Sequence, residues 1–186
     1  FLVAGALGAE VECIGLNPDS LQGDRRIVEI LKDCGAEVAL TPSSGLAAKA
    51  PANGGGLRAR SIDVSDVPDL VPPLAALLCF CEGESRIYNA ARLRDKESDR
   101  LAAVTSELGA LGANIAETPD GLVIRGAQRL RGGNARAWGD HRIAMMAACA
   151  ALRCETPVTI DDPDCVSKSY PAFWRDFERA ERGSIQ

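Results

Sequence analysis

A chain of 186 residues, with 46% apolar and 25% charged residues, has room for one large domain or two small ones and buries a substantial core. That composition excludes wholesale disorder, and no run of about 20 apolar residues offers a membrane span. The net charge of -5 argues against the basic footprint of non-specific nucleic-acid binding, so no nucleic-acid or membrane partner is expected.

The first apolar stretch, Phe1-Leu2-Val3-Ala4-Gly5-Ala6-Leu7, reads as a helix entered partway, with no initiating Met. A short strand is expected within 8–16, followed by a polar loop over 17–25. Ile27, Ile30 and Leu31 recur at helical spacing ahead of Gly35. Strands are expected at Glu37–Leu40 and 57–62, with a Pro/Gly/Ser/Ala-rich surface excursion at 41–56 between them. An apolar helix follows over 70–80, and Asp69 stands where its N-cap would be. Next come a short strand before Asn89 and a charge-rich loop over 92–100. Leu101, Val104, Leu108 and Leu111 then mark a helical face, which Gly112 closes. The rest reads as a strand at Gly121–Arg125, a loop at 126–139, a helix after Asp140, a strand at 157–160, a polar loop and a final helix.

The order apolar helix, strand, loop, helix occurs three times. Gln22-Gly23-Asp24-Arg25 pairs with Glu97-Ser98-Asp99-Arg100, and Gly35-Ala36-Glu37-Val38 with Gly112-Ala113-Asn114-Ile115. A spacing of roughly 75 residues is too long for a solenoid repeat and suits a supersecondary unit. The pattern predicts three α/β units packed as one domain over 1–181, the first without its opening strand, and a tail at 182–186. Aromatic residues are only 4%, so alanine-rich helices should supply much of the packing. The seven cysteines form no C-x-x-C pair and read as free thiols in a reducing cytoplasm.

Candidate chemistry lies on loops at helix starts. The run Arg92-Leu93-Arg94-Asp95-Lys96-Glu97-Ser98-Asp99-Arg100 precedes the Leu101 helix, where backbone N–H groups attract anions. Asp95 or Ser98 could cap that helix, and Lys96 and Arg100, an i,i+4 pair, could flank a phosphate or carboxylate. Glu97 sits among four cations, a setting for acid–base work. A solvated charge run would give the same pattern. Asp140 is placed to cap the next helix, with His141, the single histidine, and Arg142 in its first turn. Lys168 occupies the equivalent loop of the third unit. Ser20, Gln22 and Asp24 read as structural, and Trp138 and Trp174 as packing. The chain has no glycine-rich nucleotide loop and no zinc pattern, which disfavours nucleotide hydrolysis and hydride transfer. No metal and no cofactor are expected.

Leu93-Arg94-Asp95-Lys96-Glu97-Ser98-Asp99-Arg100, Asp140-His141-Arg142-Ile143-Ala144-Met145, Lys168-Ser169-Tyr170-Pro171 and the stretch from Asn17 to Asp24 resemble, in order and spacing, the signatures of the EPSP synthase family. The resemblance implies an inside-out α/β barrel domain of three βαβαββ units, one of the two domains of a longer enzyme. It implies enolpyruvyl transfer from phosphoenolpyruvate to the 5-hydroxyl of shikimate 3-phosphate, through a tetrahedral intermediate and with release of phosphate. Asp69 matches the residue at the target hydroxyl, Glu97 the proton donor and acceptor at the methylene, and Lys96 a shikimate 3-phosphate contact. Arg100, Arg142 and Lys168 match the cations around phosphoenolpyruvate, and His141 a histidine beside it. Asp95 departs from the apolar residue usual in the family. The resemblance further implies a cytoplasmic monomer whose isolated C-terminal-type domain is inactive without the N-terminal one. A UDP-N-acetylglucosamine enolpyruvyltransferase shares the fold but not the Lys-Glu-Ser-Asp-Arg motif. A non-catalytic α/β-repeat binding module is the remaining alternative.

Overall fold

A computed structural model describes residues 1–17, 19–43, 45–51 and 56–182. The helices with the fewest polar residues lie innermost. Every residue of α1 (Leu2–Leu7) is buried, α3 (Val71–Leu78) is buried on nearly all sides, and α5 (His141–Ala151) buries Ile143, Met146 and most of its Ala positions. A helix that is apolar all round has to be enclosed. Their Ala and Gly faces permit close approach. A Cβ added at Gly5 would collide with the Ala48 carbonyl oxygen of β3 (Leu46–Lys49).

Sheets surround these helices. The first has the order β1-β3-β2, where β1 is Val11–Cys13 and β2 is Glu37–Leu40. The second has the order β4-β5-β7-β6, formed by Ser61–Asp63, Glu84–Tyr88, Gly121–Arg125 and Asn114–Thr118 respectively. In the third, β8 (Gly133–Ala135) pairs in parallel with β9 (Val158–Ile160). β5 alternates strictly: Ser85 and Ile87 face inward, while Glu84, Arg86 and Tyr88 face water. Such alternation suits a sheet with one solvated face. The β5–β7 register sets Glu84 opposite Arg125, and the pair meets at 3.0 Å.

The remaining helices are amphipathic. α4 (Arg100–Ala110) buries Leu101, Val104 and Leu108, α2 (Ile27–Asp33) buries Ile30 and Leu31, and α6 (Phe173–Arg182) buries Phe173 and Phe177. Phe1 packs its ring 5.5 to 6.2 Å from Phe173, Tyr170 and Phe177, which joins the first unit to the third.

The middle unit, β4-α3-β5-α4-β6-β7, has the complete βαβαββ order. Among the described residues, the first unit runs α1-β1-α2-β2-β3, so the outer edge of β1 is unpaired where the second sheet has a strand. The third runs β8-α5-β9-α6, so it too is shorter than the full pattern.

The structure corrects several expected elements. The excursion at 41–56 contains β3, the central strand of its sheet, whose Leu-Ala-Ala-Lys sequence carries little β propensity. The loop at 126–139 contains β8, whose Gly-Asn-Ala sequence is a strand only through its pairing with β9. The strand expected at 57–62 is β4 at 61–63, preceded by a single bridge between Arg58 and Glu82. α6 continues through Arg182, and the rest of the expected tail, 183–186, lies outside the described residues, as do Pro18, Ser44 and 52–55. No helix among the described residues is long and apolar enough to cross a membrane.

Candidate active site

The fold brings three chain starts to one place: the 3-10 turn Pro68–Leu70 ahead of α3, the N-terminus of α4 and the N-terminus of α5. Arg100, the first residue of α4, is the hub. It is only 1% exposed, yet it carries a guanidinium. Its Nε donates to Asp140 Oδ2 at 2.8 Å, Nη1 to Asp69 Oδ1 at 2.8 Å, and Nη2 to Glu97 Oε2 at 2.6 Å. The second oxygen of Asp69 accepts from Arg142 Nη2 at 2.8 Å. One carboxylate therefore bridges two guanidinium groups from different helices. Ser98 Oγ completes the Asp140 shell at 3.2 Å.

Burial alone would raise the Asp140 carboxyl. Hydrogen bonds from Arg100, from the Arg142 backbone N–H and from Ser98 outweigh it and hold Asp140 below its ordinary value. Burial likewise opposes the Arg100 charge, and the Asp140, Glu97 and Asp69 carboxylates reverse the effect and raise it.

His141 lies on the same ridge, 9% exposed. Arg142 Nη1 is 2.6 Å from His141 Nε2. A guanidinium only donates, so Nε2 accepts and the ring proton sits on Nδ1. Nδ1 is buried without a hydrogen-bond partner, 4.0 Å from Asp140 Oδ1. Burial and the neighbouring Arg142 charge push the His141 pKa down, so the ring is a neutral acceptor at physiological pH.

Lys168, in the 3-10 turn Pro163–Lys168, donates from Nζ to the Gly139 carbonyl at 3.4 Å, next to Asp140. Lys96 is exposed and makes no ion pair among the described residues. The structure thus joins Asp69, Glu97, Arg100, His141 and Arg142 in one network, sets Lys168 at its rim and leaves Lys96 outside it. Arg100 turns inward onto three carboxylates, while Lys96 stays exposed.

Two capping expectations change. α4 is capped by Asp99, whose Oδ1 accepts from Ala102 N at 3.1 Å, and not by Asp95 or Ser98. Asp95 is exposed at the end of its 3-10 turn. Asp69 does not cap α3; its two oxygens accept from Arg100 and Arg142 instead. Asp140 does cap α5, accepting from Arg142 N at 3.0 Å, and it is also the buried partner of Arg100. Sequence reading found the first role only. A second residue it missed is Glu107, buried in α4 and bonded to the loop before Asp140. The one available signal was a charged residue beside the Leu101–Val104–Leu108 face.

Comparison with known proteins concerns the chain as a whole. The family model described as EPSP synthase (3-phosphoshikimate 1-carboxyvinyltransferase) matches residues 1–177. The 3-phosphoshikimate 1-carboxyvinyltransferase of Clostridium kluyveri is 51% identical over 177 residues, covering 95% of this chain and 40% of its own length. The protein of the same name from Clostridium acetobutylicum is 48% identical over 179 residues, covering 96% and 40%. Among solved structures, EPSP synthase from Acinetobacter baumannii superposes with a TM-score of 0.77 at 28% identity, over 97% of this chain and 44% of that one. The enolpyruvyl transferase NikO from Streptomyces tendae shares the fold, with a TM-score of 0.75 at 22% identity over 96% and 41%. The chain spans about 40% of the length of the curated relatives it matches.

Proposed function

The chain belongs to the EPSP synthase family, and we propose that it is the C-terminal-type domain, over 1–181, of an enzyme that transfers enolpyruvyl from phosphoenolpyruvate to shikimate 3-phosphate. The observation that carries this reading is the Arg100 hub, which gathers residues from three helix starts around a partly exposed pair of carboxylates.

In the proposed reaction the 5-hydroxyl oxygen bonds to C2 of phosphoenolpyruvate while the methylene carbon gains a proton. The methyl group then loses a proton, the bond from C2 to the phosphate oxygen breaks, and phosphate leaves. Glu97, with 45% of its side chain exposed, gives and removes the proton at that carbon. Asp69 accepts the hydroxyl proton. Each of its oxygens is held by one guanidinium and retains a further lone pair. Arg142, Lys168 and an edge of Arg100 meet the anionic groups of phosphoenolpyruvate, where fixed cations stabilise developing negative charge. Glu97 and Asp69 are the partners an incoming anion can displace from Arg100; Asp140, at 0% exposure, is not. His141 accepts from Arg142 and aims it. Lys96 reaches shikimate 3-phosphate from outside the hub.

The proposal includes a cytoplasmic, monomeric parent enzyme, and its seven free thiols suit a reducing compartment. Burial pushes Cys79 up to about 12 and raises Cys149, so neither offers much thiolate. Phosphate release by the full-length parent, given phosphoenolpyruvate and shikimate 3-phosphate, tests the reading. Glu97→Gln should lower kcat by about 100-fold or more, the scale of general acid–base catalysis. Turnover equal to wild type removes Glu97 from the chemistry, and failure of the wild type to release phosphate removes the reaction.

A further inference from the structure

Glu107 has no assigned part in the chemistry, yet it is the most heavily bonded carboxylate outside the hub. It lies two turns along α4 from Arg100 and is 2% exposed. Its Oε2 accepts the Arg136 backbone N–H at 2.7 Å. Its Oε1 accepts the Trp138 indole N–H at 2.7 Å, and Arg136 Nε and Nη2 at 3.2 and 3.1 Å. The Arg136 guanidinium lies over the Trp138 ring, 5.1 Å from its centroid. From the other side, Asp161 Oδ1 accepts the Ala137 N–H at 2.6 Å.

The segment held in this way is strained. Trp138 has φ of 58° and Gly139 has φ of 61°. A non-glycine residue in that region persists only when its surroundings enforce it. The next residues are Asp140, His141 and Arg142, and the Gly139 carbonyl is where Lys168 docks. The segment also lines an open cleft with Asp161 and Asp162.

We propose that Glu107 is a positioning residue: by clamping 136–138 from α4, it fixes where Gly139, Asp140 and Arg142 stand relative to Arg100. α4 then sets both sides of the hub, Arg100 through its first residue and the α5 start through its third turn. The proposal rests on the enolpyruvyl-transfer reading for its kinetic readout and on the hydrogen-bond geometry for its structural one.

Glu107→Gln is the discriminating variant. The amide keeps one accepting oxygen but turns an N–H₂ toward a donor, so either Arg136 N or the Trp138–Arg136 pair goes unbonded. In the full-length parent, KM for phosphoenolpyruvate should rise about tenfold, the equivalent of one buried donor left unpaired. KM for shikimate 3-phosphate should stay close to wild type, and the melting temperature should fall only by the few degrees that one unpaired buried donor costs. Trp138→Phe, which removes only the indole bond, should give a smaller change in the same direction. The second readout needs no activity. With 5-fluorotryptophan incorporated into the 186-residue chain, the two indoles give two ¹⁹F signals, assigned through Trp138→Phe. In Glu107→Gln, the Trp138 signal should shift or broaden while that of Trp174 holds.

Kinetic constants equal to wild type overturn the proposal. So does a loss of folded enzyme at unchanged KM, or broadening of both indole signals, since each marks Glu107 as a general stability residue. If the wild-type parent fails to transfer enolpyruvyl, the functional reading falls and the Trp138 signal alone decides whether Glu107 holds the loop.

Discussion

At Arg100 a full charge sits where water does not reach, so its partners decide whether the local fold survives. Asp140 is equally buried and has Arg100 as its counter-ion. Replacing Asp140 with Ala strands a buried guanidinium edge and should cost about 3–5 kcal/mol, read as a lower urea midpoint at unchanged slope. Asn at this position has one accepting oxygen and so can cap α5 or accept from Arg100 but not both; Asp140→Asn should cost less than Ala and still leave one buried donor unpaired. Acid should act in two steps. His141 has a depressed folded pKa, so its contribution is present above the ordinary value of 6.5 and is lost as pH falls from there through the folded value. Asp140 is depressed below 3.8, so its contribution is present above about 4 and is lost as pH falls through its lower folded value. Unfolding free energy measured against pH should show both losses, and His141→Gln should abolish the first alone. A single unbroken decline in both proteins would remove His141 as the cause.

At the level of elements, the cap of α4 separates two effects that share one side chain. Asp99 Oδ1 accepts from Ala102 N, and Oδ2 meets Arg94 at 3.1 Å. Arg94 also reaches Glu117 at 2.9 Å, and all three groups are about one-third exposed. Asp99→Ala should therefore cost about 1 kcal/mol through the lost cap, while Asp99→Asn, which keeps the acceptor, should cost only a few tenths. Equal losses in thermal denaturation would assign the effect to the ion pair. The same elements show what could be read from the chain alone. The Leu101–Leu111 period and Gly112 marked α4 because its packing face and stop signal are both local. β3 and β8 left no such mark: Ala47 and Ala48 carry little β propensity and are extended through pairing with both neighbouring β2 and distant β1, and Asn134 through pairing with distant β9. Site chemistry followed the same division. His141 and Arg142 stood out beside Asp140 as a helix start. The inward turn of Arg100, the double bond of Asp69 to Arg100 and Arg142, and the clamp at Glu107 depend on how three units pack, and no local pattern encodes that.

For the whole molecule, charge balance at the hub bears on what this chain can do by itself. Two guanidinium groups, Arg100 and Arg142, face three carboxylates, Asp69, Glu97 and Asp140. The network is closed on itself and carries no surplus of positive charge with which to attract an anion. The cations nearby, Lys96 and Lys168, are exposed and strongly screened at physiological ionic strength. A phosphoenolpyruvate molecule arriving here must displace Glu97 or Asp69 from Arg100 without a compensating cation, and it stays open to water. In the proposed enzyme the other domain supplies those cations and the cover, consistent with relatives in which this chain matches only 40% of the length. Calorimetric titration of the 186-residue chain with phosphoenolpyruvate should therefore give binding weaker than about 1 mM, falling further with added salt, and no phosphate release with shikimate 3-phosphate present. Adding the complementary domain in trans should restore both binding and turnover, because interface burial and the missing cations arrive together. Tight binding or turnover by the chain alone would show that the hub opens to substrate unaided, and the division of the active site between two domains would have to be given up.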